Sequence, residues 1–310
     1  MNLFEIITDS TCDLSDEFQE EYDIKVIPGH AVLADKREIL TYPRWDVFSH
    51  KEFYDALKQN PDGFTTSPPN VSEFESAFRS AAVSGRDVLC MTISSGISGA
   101  YNFAVQAASA VEKDFPEVNI KVVDSRRFGP GFGLMAVYAS KKRKDGMTLD
   151  ETVAWIDENK NRFHQAGWLD DLSFVAKKGR MTNAKAFFGT LAGIKPIGEF
   201  DSNGLTTVIG KIKGAKKALK VLISYIKETV EDPENQVFYI AHTDRLSQAE
   251  VYRQMILSEL NPKDVIIMDI HISSGVNIGP GLMAAYYVGS EITDDLKKET
   301  AIIDKYNTEN

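Results

Sequence analysis

Two hydrophobic periods alternate along this chain. Short apolar runs such as FEIITDS (4–10), RDVLCMTI (86–93) and VNIKVVDS (118–125) have the length of buried strands; the first closes on hydroxyl and carboxylate residues, and the other two are each followed by a glycine-containing turn and a helix. Between them, the spacing of Phe53, Ala56 and Leu57 in KEFYDALKQ puts three apolar side chains on one helical face. VSEFESAFRSAA shows the same amphipathic pattern, and DEFQEEY opens a helix after Asp13-Leu14-Ser15. IKVIPGHAVLA reads as a strand and REILTYPRWD as a connection. Ser72 and Glu75, three residues apart, fit a capping box, and Ser98 fits a helix N-cap. Strands alternating with helices predict βαβ units and a mostly parallel sheet covered on both faces.

The pattern changes near Trp168. SFVAKKGRM and AFFGTLAGIKPIGEF lead into DSNG and then LTTVIGKIKG, where Asn203-Gly204 between two apolar runs is a hairpin signal. KKALKVLISYIKE, QVFYIAH, SQAEVYRQMILSEL and VIIMDIHI then alternate helix and strand, which predicts a mixed sheet. The expected organisation is therefore α/β in two domains. Residues 1–166 form an α/β/α domain with a mostly parallel sheet, and residues 167–310 an α/β domain with a mixed sheet. No repeat or low-complexity linker separates them, so a groove between closely packed domains is expected.

Composition narrows the function classes. The 310 residues are 43% apolar and 26% charged, as in a globular protein with a sizeable core. A formal charge of −10 opposes a general nucleic-acid binder. The basic runs 141–144 and 211–220 read as solvated helix faces. Cys12 and Cys90 stand far apart, so neither a disulfide framework nor metal-ligand spacing is present, and no metal is expected. MNLFEIITDS carries Glu5 and Asp9 where a signal peptide would be basic, and no apolar run approaches membrane-spanning length. A cytoplasmic protein is the expectation.

Ligands of open α/β sheets gather beyond the carboxyl ends of the strands. Four segments suit that edge: TDSTCD (8–13), TTSPPN (65–70), SSGISG (94–99) and VDSRRFGPGFG (123–133). SSGISG joins a strand to a helix with hydroxyls and glycines but no cation, which suits a single carboxylate at a helix start. Gly129-Pro130-Gly131-Phe132-Gly133 misses the G-x-G-x-x-G spacing, so no dinucleotide cofactor is expected. Ser98 in GISGA departs from the G-x-S-x-G elbow by one glycine position; a serine hydrolase acting on acyl esters is the alternative reading. His242 follows the strand FYIA and can reach a sheet edge, whereas His271 lies in an apolar run and reads as core.

In order along the chain, ITDSTCDL, DIKVIP, TTSPPN, SSGISGAYN, VVDS, KKGRMTNAKAFFGTLAGIKPI, GKIKGAKKAL and GVNIGPG resemble the DegV family of bacterial fatty-acid-binding proteins. The resemblance implies a two-domain fold with an apolar ligand tunnel between the domains and a long-chain fatty acid inside it. It implies no catalytic residue and no cofactor, and a separate fatty acid kinase subunit as partner, which converts the presented acid to an acyl phosphate. By motif, the carboxylate seat falls on Thr65, Thr66, Ser67, Ser95, Gly96, Ser98, Gly99 and Asn277. The acyl chain falls on Phe187, Phe188, Leu191, Ile194, Leu282 and Met283. Three positions depart from the family pattern. Asn277 stands where histidine is frequent before the last G-P-G turn, and it can donate a hydrogen bond but cannot take up a proton near neutrality. Lys178 replaces the first glycine of a G-G-R-I motif, and Ala100 a frequent threonine.

Overall fold

The computed structural model describes residues 4–182 and 193–309. The chain is a mixed α/β fold in two compact units. One comprises Met1–Val47, Asp62–Lys160 and His271–Ser274; the other comprises Phe48–Pro61, Asn161–Ile270 and Gly275–Asn310.

The first unit is built on an all-parallel sheet of four strands in the order β2 (Ile24–Ile27), β1 (Glu5–Asp9), β6 (Val88–Thr92) and β7 (Ile120–Asp124). Every residue of β1 and β6 is buried, as strands covered on both faces must be. Helices α3 (Val71–Val83) and α4 (Ala100–Asp114) pack as one pair, and α5 (Gly129–Lys144) and α6 (Leu149–Asn159) as another. The stretch GPGFG is the buried start of α5, with Pro130 in the first turn, where its missing amide hydrogen costs nothing.

Beside this sheet lies a small antiparallel one, β4 (Glu38–Thr41), β3 (Gly29–Val32) and β5 (Thr65–Ser67). It corrects three readings. IKVIPGHAVLA is two strands in two sheets, parted at Pro28, whose missing amide hydrogen cannot serve a ladder. Part of the supposed connection REILTYPRWD is β4, and part of the supposed turn TTSPPN is β5. The capping box of α3 is Asn70 with Glu73, not Ser72 with Glu75; Ser72 donates its hydroxyl to Asn70 at 2.6 Å. The cap of α4 is Gly99, one residue beyond Ser98.

The second unit holds a six-stranded mixed sheet. Its order is β10 (Thr206–Lys213), β9 (Ile194–Phe200), β8 (Phe163–Leu169), β13 (Leu282–Val288), β11 (Val237–His242) and β12 (Asp264–Asp269). Only β11 and β12 run parallel; β9 and β10 form the hairpin that Asn203-Gly204 predicts. Helices α8 (Ala215–Thr229) and α9 (Leu246–Leu260) pack on this sheet, and α11 (Lys297–Glu309) packs on α8. A polar knot lies inside this unit. His164 faces Glu199 at 2.9 Å and the Ser290 carbonyl at 2.7 Å, while Glu199 also accepts the Tyr225 hydroxyl at 2.8 Å. Both His164 and Glu199 are fully buried, so each polar atom needs these partners. Among the described residues no helix is long and apolar enough to cross a membrane.

Candidate functional site

The carboxyl edge of the parallel sheet gathers the hydroxyl and carboxylate groups that the sequence concentrates at strand ends. Asp9 closes β1 and is fully buried. Its Oδ1 accepts the Thr11 amide at 3.0 Å and the Thr11 hydroxyl, and its Oδ2 accepts the Ile93 amide at 2.8 Å. One carboxylate thus ties the loop after β1 to the end of β6. Burial pushes the Asp9 carboxyl above its ordinary value, against the Thr11 and Ile93 bonds, which pull it down.

Asp13 ends the same loop in the left-handed region, φ 54°. Its Oδ1 accepts the His271 amide at 2.9 Å and faces His271 Nδ1 at 3.3 Å, while Oδ2 accepts the Ser274 hydroxyl at 2.8 Å. Here too burial raises the carboxyl, with His271 and Ser274 opposing. His271 is therefore buried, as its apolar surroundings suggest, but tied to a carboxylate. Ser10 Oγ accepts the Gly29 amide at 3.0 Å and shares a hydrogen bond with Ser273 Oγ at 2.8 Å; the Ser273 hydroxyl also meets Thr41.

The turn after β6 is held from below. Ser94 is fully buried, donates its amide to the Arg127 carbonyl at 2.9 Å, and accepts the Gly96 amide on Oγ at 3.1 Å. Ser95, exposed, gives both its amide (3.0 Å) and its hydroxyl (2.5 Å) to Asp124 at the end of β7. Asp124 in turn accepts the Arg126 amide at 3.1 Å and pairs with the Arg126 guanidinium at 3.0 Å. Ser98 Oγ accepts the Ala100 amide at 3.2 Å, which leaves its hydroxyl hydrogen for an outside acceptor. Ser95, Gly96, Ser98 and Gly99 thus share one turn, yet the donors of Ser95 and the amide of Gly96 already serve the protein. Sequence reading misses Asp124 as the partner of Ser95. Its signal is a strand-terminal carboxylate, in VVDS.

Thr65, Thr66 and Ser67 lie on β5, paired with Val32, Ala31 and His30 of β3. Thr65 and Ser67 are exposed and Thr66 half-buried. Gly29 is needed beside them, because a Cβ there would stand 2.9 Å from the Ser67 carbonyl oxygen. His30 meets Glu73 of the α3 capping box at 3.0 Å.

In the second unit, Asn277 is half-buried in the short helix α10 (Ile272–Ile278). The G-P-G turn after it has φ 77° at Gly279 and 101° at Gly281. A Cβ on Gly279 would meet the Phe174 ring at 2.4 Å, so glycine is required both by conformation and by space. The turn is anchored by the Gly281 amide, which donates to the Thr243 carbonyl at 2.8 Å, and by the Asp170 amide, which donates to the Gly281 carbonyl at 3.1 Å. Asp170 also collects the Trp168 indole at 3.1 Å, Arg245 at 2.7 and 3.0 Å, and Lys195. Burial alone would raise its pKa, but the Lys195 and Arg245 cations outweigh it and hold the carboxyl below its ordinary value. Of the acyl-chain candidates, Ile194 and Leu282 are half-buried and Met283 is fully buried within β13. Phe187, Phe188 and Leu191 lie outside the described residues.

Ligands of open α/β sheets gather at the carboxyl edge, and here that edge ends in hydroxyl- and carboxylate-bearing turns. Residues 3–290 match the family described as "Uncharacterised protein, DegV family". A DegV domain-containing protein of Clostridium perfringens is 32% identical over 289 residues, 93% of this chain and 98% of its own length. Among solved structures, a DegV lipid binding protein from Thermotoga maritima superimposes with a TM-score of 0.79 at 26% identity, covering 93% of this chain and 99% of its own. A second Thermotoga maritima protein, whose structure reveals fatty acid binding function, gives a TM-score of 0.78 at 26% identity, covering 93% and 100%. The chain belongs to the DegV family.

Proposed function

We propose that this protein binds a long-chain fatty acid and presents it, in the bacterial cytoplasm, to a separate fatty acid kinase subunit that forms the acyl phosphate. The acyl chain is proposed to occupy the tunnel that the family resemblance implies. The observation that carries this reading is the hydroxyl turn at 94–99 in a chain whose structural relatives bind lipid and fatty acid.

Energetics favour a tail-dominated grip. About fourteen methylenes at roughly 0.8 kcal/mol each give on the order of 11 kcal/mol before association costs are subtracted. Hydrogen bonds to a charged carboxylate add about 1.5–3 kcal/mol each, and chiefly orient the head. Within the 94–99 turn Ser98 is the donor this reading relies on, since Ser95 gives its own hydrogens to Asp124. Ser95 then acts by shaping the turn.

Delipidated protein titrated with a long-chain acid tests the proposal. At a hundredfold excess over Kd the ligand adds about 2.7 kcal/mol, which raises the melting temperature of a chain this long by roughly 4 °C. Replacing Ser98 and Thr66 with alanine is expected to shrink that shift. No shift with any acid between C14 and C18 (roughly the chain length assumed above) would refute it.

A further inference from the structure

The second unit carries a titratable cluster outside the residues proposed for fatty-acid binding. His242 is the last residue of β11 and Asp269 the last of β12, and the parallel register sets them side by side. The third member, His50, is the first residue of helix α2 (His50–Gln59). One ligand atom from each of the three lies within 4.8 Å of the others.

We propose that His50, His242 and Asp269 form a binding site for a divalent first-row transition metal, with zinc the best match. The distances argue for this. His50 Nε2 stands 3.6 Å and His242 Nε2 3.7 Å from Asp269 Oδ1, and the two rings lie 5.1 Å apart at 75°. Neither separation is a hydrogen bond. Both are close to the roughly 3.4 Å between neighbouring ligand atoms in a tetrahedron of ~2.0–2.1 Å zinc bonds. A contraction of a few tenths of an ångström would bring both imidazole–carboxylate separations to that value, and rotation of the two rings would close the imidazole pair, whose ligand atoms lie within 4.8 Å.

Two imidazoles and one carboxylate are the donor set of three-ligand zinc sites that keep a position open for water or substrate. Burial agrees with that. His242 is almost wholly buried, whereas His50 and Asp269 keep part of their surface exposed, at 20% and 35%. Ligation through Nε2 places the ring hydrogen on Nδ1. That nitrogen now receives the Arg245 amide at 3.5 Å, the long limit of a hydrogen bond, so little is lost in the exchange.

The ligands are held independently of any ion. Tyr54, one turn along α2 from His50, donates its hydroxyl to the Ile270 carbonyl at 2.7 Å, the residue after Asp269. Lys58 pairs with Asp244, two residues after His242. Gly275 lets these rings approach, since a Cβ there would meet the Tyr54 oxygen at 2.7 Å and the Phe53 ring at 2.8 Å. A preorganised shell of this kind lowers the entropy cost of binding.

The test uses the full chain stripped with a chelator and titrated with zinc against a chromophoric competitor. One zinc per chain is expected, with cobalt substitution giving the intense visible bands of a tetrahedral centre. H242A and H50A are each expected to weaken binding by roughly 100-fold or more, since even outer partners of metal ligands cost 10–100-fold. H30A, on the first unit, is expected to bind as the parent does. H50A and D269N at the partly exposed positions, with circular dichroism as a check on folding, keep the test valid if H242A does not fold. Absence of zinc binding at micromolar metal, or binding that H50A and D269N leave unchanged, overturns the proposal.

Discussion

Replacing Gly133 with alanine sets two energies of opposite sign against each other. Gly133 lies inside α5 with right-handed dihedrals, so alanine fits its backbone and would favour the helix by up to ~1 kcal/mol. Space opposes it. A Cβ there would stand 2.4 Å from the Cys12 carbonyl oxygen and 3.0 Å from Leu14 Cδ2. The leucine can rotate away, but the carbonyl belongs to a loop fixed at both ends, by Asp9 to Ile93 and by Asp13 to His271 and Ser274. Either helix or loop must move, and overpacking of this kind costs about 1–3 kcal/mol. The steric cost wins, and G133A is expected to be less stable than the parent by roughly 1–2 kcal/mol. Urea unfolding followed by circular dichroism reads the size of the effect. Hydrogen exchange reads its place, since the Thr11 and Ile93 amides that Asp9 holds should exchange faster. A variant at least as stable as the parent, with those amides equally protected, would refute the close approach of α5 to Cys12.

Two further outcomes follow from burial and charge. Burial pushes the Cys12 thiol up to about 12 and Cys90 well above its ordinary value, so neither should react with a disulfide reagent at pH 8 until denaturant is added, when both should. Rapid labelling of the native protein would contradict this. D170N removes the carboxylate that joins Arg245, Lys195 and the Trp168 indole, and should cost about 1–3 kcal/mol near neutral pH, the site being half-buried. Because the folded Asp170 pKa lies below the ordinary 3.8, its stabilisation is fully present above 3.8 and is lost as pH falls through the folded value. The gap between parent and variant in urea midpoint should therefore close in acid; a gap that widens there would exclude the assigned sign.

The elements legible in the sequence are those whose signal is local. The buried strands β1 and β6, the edge strand β7 and the Asn203-Gly204 hairpin each declare themselves within ten or so residues by periodicity and turn chemistry. Strand β5 does not, because three residues of Thr-Thr-Ser carry no period; they become a strand only because β3 offers them a ladder. Likewise IKVIPGHAVLA is uniformly strand-like, and only the separate partners of its two halves show that Pro28 divides it. The capping box of α3 was displaced by two residues, since Asn70 and Ser72 both precede a glutamate at the required spacing. The family motifs locate the turns of the candidate site, but not the hydrogen bonds that decide which hydroxyls are left to act. Asp124 claims Ser95 across the sheet edge, and that is a fact of strand order. His50, His242 and Asp269 are distant in sequence and meet through the fold, which is why metal-ligand spacing gave no sign of them.

Native mass spectrometry of the protein as purified reads out whether a long-chain fatty acid is bound, as proposed. The expected spectrum holds a species heavier than the polypeptide by the mass of one fatty acid, released on denaturation and identifiable in the organic extract. A spectrum showing only the bare polypeptide, both as purified and after incubation with long-chain acids, would contradict it.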